Sequence, residues 1–157
     1  MFARALSALV MAAVALIFGA SAAWAAPTKL THEDAANRFR AAGITWTSSV
    51  NCSDWNNPHC TSFTNINLDT VQGAITFKRI SGCGVNISGG TEVGHADGTF
   101  GHRNGYKVDM SKMPCVTGYI TRKFTSIGGG QWKSAAGNIY YDESNHWDVT
   151  YFNCGCS

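Results

Sequence analysis

Charge of either sign is thin in this chain. Lys and Arg total 12 and Asp and Glu 10, together 14 % of 157 residues. No block of like charge occurs, which argues against a nucleic-acid surface or a polybasic membrane contact. Internal repeats, linkers and low-complexity segments are also missing, so one domain of ordinary size is expected rather than an array. Long apolar runs are limited to the N-terminus, and the stretch there is shorter than the roughly 20 residues that cross a bilayer. No membrane span is expected.

That N-terminal stretch has Arg4, an apolar run from Ala5 to Phe18, and small residues ending in Ala23-Trp24-Ala25. The pattern is that of a secretory signal peptide over residues 1–25, leaving residues 26–157 as a single exported domain, expected to be a monomer. All six cysteines lie in that domain. An even number in an exported chain reads as three disulfides rather than a thiolate metal site. Cys52 and Cys60 flank what looks like a closed loop and form the preferred local pair. Cys154 and Cys156 stand too close for an easy mutual bridge, so each is expected to reach back to Cys83 or Cys115.

Thr31 opens a predicted helix running to Ala42, with Thr31 as N-cap, Leu30 placed to staple onto Ala35, and Gly43 just beyond the end. Ile44–Thr47 alternates as a short strand. Leu68, Val71, Ala74 and Ile75 return at helical spacing before Gly82, which predicts a helix over Leu68–Ile80. From Gly82 to Gly105 the chain is glycine-rich and mostly loop, apart from a β-like piece at Val85–Ser88. Tyr106–Met110 reads as strand, Pro114 to about Ser126 as helix, and Ile139–Tyr141 with His146–Phe152 as a hairpin. The expected class is α+β: a small antiparallel sheet with helices packed on it.

The chemistry concentrates in His102 and Asp109, joined much later by Glu143 and His146. A catalytic zinc takes three nitrogen or oxygen ligands and leaves a fourth position open. His102 at a loop end, Asp109 on the following strand and His146 on a distant strand supply that set. Gly105 permits the sharp turn between the first two. Glu143, three residues before His146, is placed to take a proton from water as general base. Strand alternation puts Lys107 on the face of Asp109, and puts His146, Asp148 and Thr150 on one face with Trp147, Val149 and Tyr151 on the other. Asp148 is thereby a candidate to orient a ligand histidine, or to compete with Glu143. His95, near His102 in sequence, reads as an exposed loop histidine rather than a ligand, and stays a candidate substrate contact. Glu92 reads as a solvated loop carboxylate, and His32 and His59 as solvent residues. Trp132, beside Gly128-Gly129-Gly130, is the best groove candidate among the aromatics, although core packing is their usual task.

The run His102-Arg103-Asn104-Gly105-Tyr106-Lys107-Val108-Asp109, with Glu143-Ser144-Asn145-His146-Trp147, resembles the signature of the D-Ala-D-Ala carboxypeptidase, D,D-dipeptidase and L-alanyl-D-glutamate endopeptidase group. The resemblance spans roughly Ile75 to Tyr151. It implies the hedgehog/D,D-peptidase fold, zinc held by His102, Asp109 and His146, Glu143 as base, and hydrolysis of D-amino-acid peptide bonds in bacterial peptidoglycan. Three positions depart from the family pattern: Gly101 stands for its serine, Lys107 for its small residue, and Ser81-Gly82-Cys83-Gly84 lacks its carbonyl-polarising arginine. Lys107 or Arg103 is then a candidate for an anionic substrate group. Arg79, Arg103 and His95 are candidates for the missing arginine's work. Two other readings stay open: a secreted binding protein or effector on the same fold without turnover, and a metal-free carbohydrate-binding module.

Overall fold

The computed structural model describes residues 26–96 and 98–156; the predicted leader, residues 1–25, lies outside them. Among the described residues no helix is long and apolar enough to cross a membrane. The described residues form three helices and a modest mixed sheet. In α1 (His32–Ala41) Thr31 caps the N-terminus by accepting the Asp34 N–H, and Ala35, Ala36 and Phe39 are buried. In α2 (Leu68–Ser81) Gly82 ends the helix in the left-handed conformation. In α3 (Pro114–Lys123) proline occupies the first turn. This third helix is shorter than the sequence predicts. The chain leaves it at Phe124 because Thr125–Gly128 (β6) pairs with Gln131–Lys133 (β7) across the glycine triplet.

Two short strands, β1 (Lys29–Leu30) and β3 (Ile66–Asn67), pair by themselves. The remaining strands are β2 (Thr45–Trp46), β4 (Asn86–Gly89), β5 (Lys107–Ser111), β8 (Ile139–Asp142) and β9 (His146–Thr150). With β6 and β7 they form one seven-stranded sheet in the order β2-β4-β5-β9-β8-β7-β6. The expected small antiparallel sheet is corrected in one respect: β2 runs parallel to β4. The chain from β2 to β4 passes through α2, and a crossover of that length returns a strand in the same direction.

The two faces of β5 and β9 differ. Val108, Met110, Trp147 and Val149 are fully buried on one face, with cross-strand Tyr140 beside Val149. Phe77 of α2 meets Tyr140 at 5.4 Å between ring centroids, and the Trp147 indole donates to Thr117 of α3. Burying large side chains here contributes about 1.5–3 kcal/mol each. Lys107, Asp109, Ser111, His146, Asp148 and Thr150 alternate onto the other face, in register as Lys107 with Thr150, Asp109 with Asp148 and Ser111 with His146. Trp132 lies cross-strand from Tyr140 and packs edge-on against Trp147 at 5.3 Å, so it covers the core rather than a groove.

Cys52–Cys60 pairs as expected, but the other two bridges are Cys83–Cys115 and Cys154–Cys156. The first of these ties the end of α2 to the start of α3. Gly155, at φ 55°, reverses the tail so that Cys154 and Cys156 meet. The tail is held to the core by an amide instead: Asn138 Oδ1 accepts the Phe152 N–H and Asn138 Nδ2 donates to Asn153 O.

Candidate metal centre

Asp109 sits mid-strand in β5, between β4 and β9. The β4–β5 register passes from Ile87–Met110 to Gly89–Asp109, so one extra residue bulges out of β4. The bulge sets bare backbone opposite Asp109. A Cβ on Gly89 would collide with Asp109 Oδ2 and with His95 Cε1. His102 is presented by a turn in which the Gly105 N–H returns to His102 O at 2.8 Å. Gly105 has φ 77°, and a Cβ there would strike the backbone of Asn65 and Asn67. Its carbonyl accepts from Asn67 N–H and Thr70 Oγ1, which fixes the turn to β3 and α2. His146 opens β9 after a three-residue turn, where the Glu143 N–H donates to His146 O.

These placements gather His95, His102 and Asp109 into a cluster whose ligand atoms lie within 4.8 Å of one another, a geometry consistent with a metal-binding site. Asp109 is its centre. Oδ1 stands 3.3 Å from His102 Nε2 and 3.3 Å from His146 Nε2, and Oδ2 stands 3.5 Å from His95 Nδ1. The His95 and His102 rings stack, 3.9 Å between centroids. Donor atoms on a tetrahedral zinc with bonds of about 2.0–2.1 Å are about 3.3 Å apart; the two separations from Asp109 Oδ1 match that, while His146, expected from the sequence as a ligand, lies outside the three-residue cluster.

The outer nitrogen of each imidazole faces an acceptor: His102 Nδ1 the Gly90 carbonyl at 2.6 Å, His146 Nδ1 Asn145 Oδ1 at 2.7 Å, His95 Nε2 the Glu92 carboxylate at 3.0 Å. With the proton of each neutral ring on that outer nitrogen, the inner nitrogen presents a lone pair to Asp109. Asp109 Oδ1 is buried with no hydrogen-bond donor. Lone pairs converging on a buried carboxylate repel unless a cation or a proton lies among them. The donor set therefore fits a divalent metal.

A proton is the competitor. Burial by itself would lower the His102 pKa, but the Asp109 and Asp148 carboxylates beside it outweigh that and raise it to about 9. Burial likewise would raise the Asp148 carboxyl, yet His102 and Lys107 hold it below the ordinary range. Asp148 Oδ2 is 3.5 Å from His102 Nε2 and accepts from Lys107 Nζ at 2.8 Å. Lys107 does share the site face, with its charge matched by Asp148. Glu143 Oε2 is 3.3 Å from His146 Nε2 and is the most exposed carboxylate of the group. Arg103 is engaged elsewhere. Its guanidinium lies 3.6 Å over the Trp55 ring and donates to Trp55 O and Asn56 Oδ1, clamping the Cys52–Cys60 loop beside the site.

Three sequence readings are corrected here. His95, expected as an exposed loop histidine, is partly buried in the cluster with His102 and Asp109. Glu92 is 3 % exposed, not solvated. It accepts from Ser62 N–H and Gly90 N–H because the Gly89-Gly90 backbone folds against the 62–64 segment. His32 is half-buried, stacks on Phe63 and accepts the Phe63 N–H, and burial lowers its pKa. The Glu92–His95 spacing and the preceding glycine pair were the available signals for this part of the site.

A cavity of about 330 Å³ lined by Glu92, Val93, Gly94, His95 and Arg103 adjoins the cluster. A larger cleft of about 490 Å³ between α2, α3 and Tyr140 lies on the opposite face of the sheet and contains none of these residues. No family model, curated protein or solved structure matches the chain.

Proposed function

We propose that this chain is a secreted zinc peptidase acting on stem peptides of bacterial peptidoglycan or related D-amino-acid peptides, with His102, Asp109 and His146 as ligands and Glu143 as general base. The observation that supports it most is the pair of 3.3 Å separations from Asp109 Oδ1 to the inner nitrogens of His102 and His146, around an oxygen that has no donor of its own. When bound, zinc supplies Lewis acidity toward a carbonyl oxygen and toward water. The chain's own residues do the rest. Gly90 O and Asn145 Oδ1 hold the two ligand imidazoles in one tautomer. Glu143, beside His146 and open to solvent, takes a proton from water and returns it to the leaving amine. Lys107 holds Asp148 against His102 and offers a cation to a substrate carboxylate. The substrate class rests on the motif resemblance.

A second reading, a secreted metal-binding protein without turnover, is favoured by His95. Its Nδ1 faces the same carboxylate, where a third imidazole can take the position that a catalytic metal leaves open. Incubation of zinc-loaded protein with purified peptidoglycan, followed by mass spectrometry of the muropeptides, separates the two. New peptide termini that vanish with Glu143→Ala support the peptidase. Stoichiometric zinc without cleavage supports the second reading, and folded protein that binds no zinc at neutral pH overturns both.

A further inference from the structure

Glu92 has no part in that chemistry, yet it is built into the site from behind. Its carboxylate accepts the Ser62 N–H at 2.7 Å and the Gly90 N–H at 2.9 Å, and faces His95 Nε2 at 3.0 Å. Gly90, the residue that gives Glu92 its N–H, turns its carbonyl, on the next peptide group, to His102 Nδ1 at 2.6 Å. The Gly90 position is tightly set, since a Cβ there would run into the Ser62 carbonyl and Thr91 binds that same carbonyl through both its N–H and its hydroxyl. One buried carboxylate thus touches one of the stacked imidazoles directly and the other through a short fixed segment.

Two carboxylates face His95 and both only accept, but Glu92 is at hydrogen-bond distance from Nε2, 3.0 Å, while Asp109 Oδ2 stands 3.5 Å from Nδ1, so the single proton of the neutral ring belongs on Nε2 and the Nδ1 lone pair is directed at Asp109. We infer that Glu92 is a positioning residue of the metal centre, fixing which nitrogen His95 presents to Asp109 and, through Gly90, the direction of His102 Nε2. The inference rests on the metal reading for its consequence, metal affinity, but not for the tautomer itself. Carboxylates in this position behind ligand histidines typically change metal affinity by 10- to 100-fold when removed. A carboxamide is the informative replacement. Gly90 N–H reaches both carboxylate oxygens, Ser62 N–H only Oε2 and His95 Nε2 only Oε1, so glutamine, with one acceptor oxygen and an NH₂ group, disturbs either the Ser62 contact or the His95 proton.

The test uses ¹⁵N-labelled full-length protein. Imidazole NMR of the metal-free form at alkaline pH, where the rings are neutral, is expected to show His95 protonated at Nε2 in the parent. In Glu92→Gln that Nε2–H population is expected to be lost or mixed. Zinc competition against a chromophoric chelator is expected to show 10- to 100-fold weaker binding by Glu92→Gln. A variant that keeps the parent tautomer and binds zinc within about twofold overturns the inference, whatever happens to its melting temperature, because a merely structural Glu92 moves only the latter. If Glu92→Gln does not fold, the parent spectrum decides: an Nδ1–H tautomer at His95 overturns the inference and Nε2–H supports it. Parent protein that binds no zinc overturns the metal reading, while the tautomer comparison still decides the role of Glu92.

Discussion

Asp109 and Asp148 are direct cross-strand partners on β5 and β9, two buried carboxylates side by side, with His102 Nε2 3.3 Å from one and 3.5 Å from the other. Like charges paired this way destabilise a sheet unless something positive lies between them. Lys107 answers part of the charge and His102, when protonated, answers more.

Metal-free protein is therefore expected to lose stability as pH rises. The His102 pKa is raised to about 9 in the folded state against about 6.5 unfolded. Its contribution is fully present below pH 6.5 and is lost progressively as pH climbs through 9, a change of a few kcal/mol. Urea midpoints for the zinc-free protein at pH 6 and pH 10 check this, with His102→Gln expected to flatten the difference. Equal midpoints in the parent would remove His102 as the linked group.

Zinc binding at neutral pH is expected to expel that proton. Calorimetry at pH 7 in two buffers of different ionisation heat should show close to one proton released per zinc, falling toward zero above pH 9. A buffer-independent heat at pH 7 would mean that zinc is held without His102.

Arg103→Ala is expected to lower stability by about 1–2 kcal/mol, through loss of the stacking on Trp55 and of the bonds to Trp55 O and Asn56. Zinc affinity should stay within about twofold. Denaturant melts and zinc competition on the same sample test the pair of statements, and a tenfold fall in affinity would show that the guanidinium serves the metal centre itself.

Two glycines with positive φ offer a controlled comparison. Gly82 has open space around a Cβ, so Gly82→Ala should cost about 1 kcal/mol. Gly105 has the same backbone constraint plus a collision with Asn65 and Asn67, and Gly105→Ala should cost roughly 2–4 kcal/mol and weaken zinc binding by displacing His102. Similar melting temperatures for the two variants would contradict the packing account.

Local signals explain which features were legible. Thr31 with Asp34, Gly82 and Pro114 mark helix ends through backbone chemistry that needs no tertiary context, and those ends fall where expected. Strand alternation was enough to place Lys107 with Asp109 and His146 with Asp148. Pairing partners are a different matter. Thr125 and Ser126 read as the end of the third helix but join a ladder with Gln131–Lys133, and the parallel joining of β2 to β4 depends on where α2 packs. The bridge within Cys154–Cys156 turned on the backbone of Gly155, and the burial of Glu92 on a loop folding back against Ser62. Neither leaves a periodic trace.

The alternation along β5 and β9 has a consequence for how this protein can change. Residues facing α2 and α3 and residues facing the imidazoles occupy interleaved positions, so substitutions can tune one set while leaving the other untouched. A one-residue insertion or deletion within either strand cannot. It would turn Asp109 or Asp148 toward Phe77 and Tyr140 and bring Val108 or Val149 among the histidines. The strands should accept point substitution readily and length change hardly at all, whereas the Cys52–Cys60 loop and the Gly128–Gly130 turn, outside that interleaving, are where variation in length can accumulate.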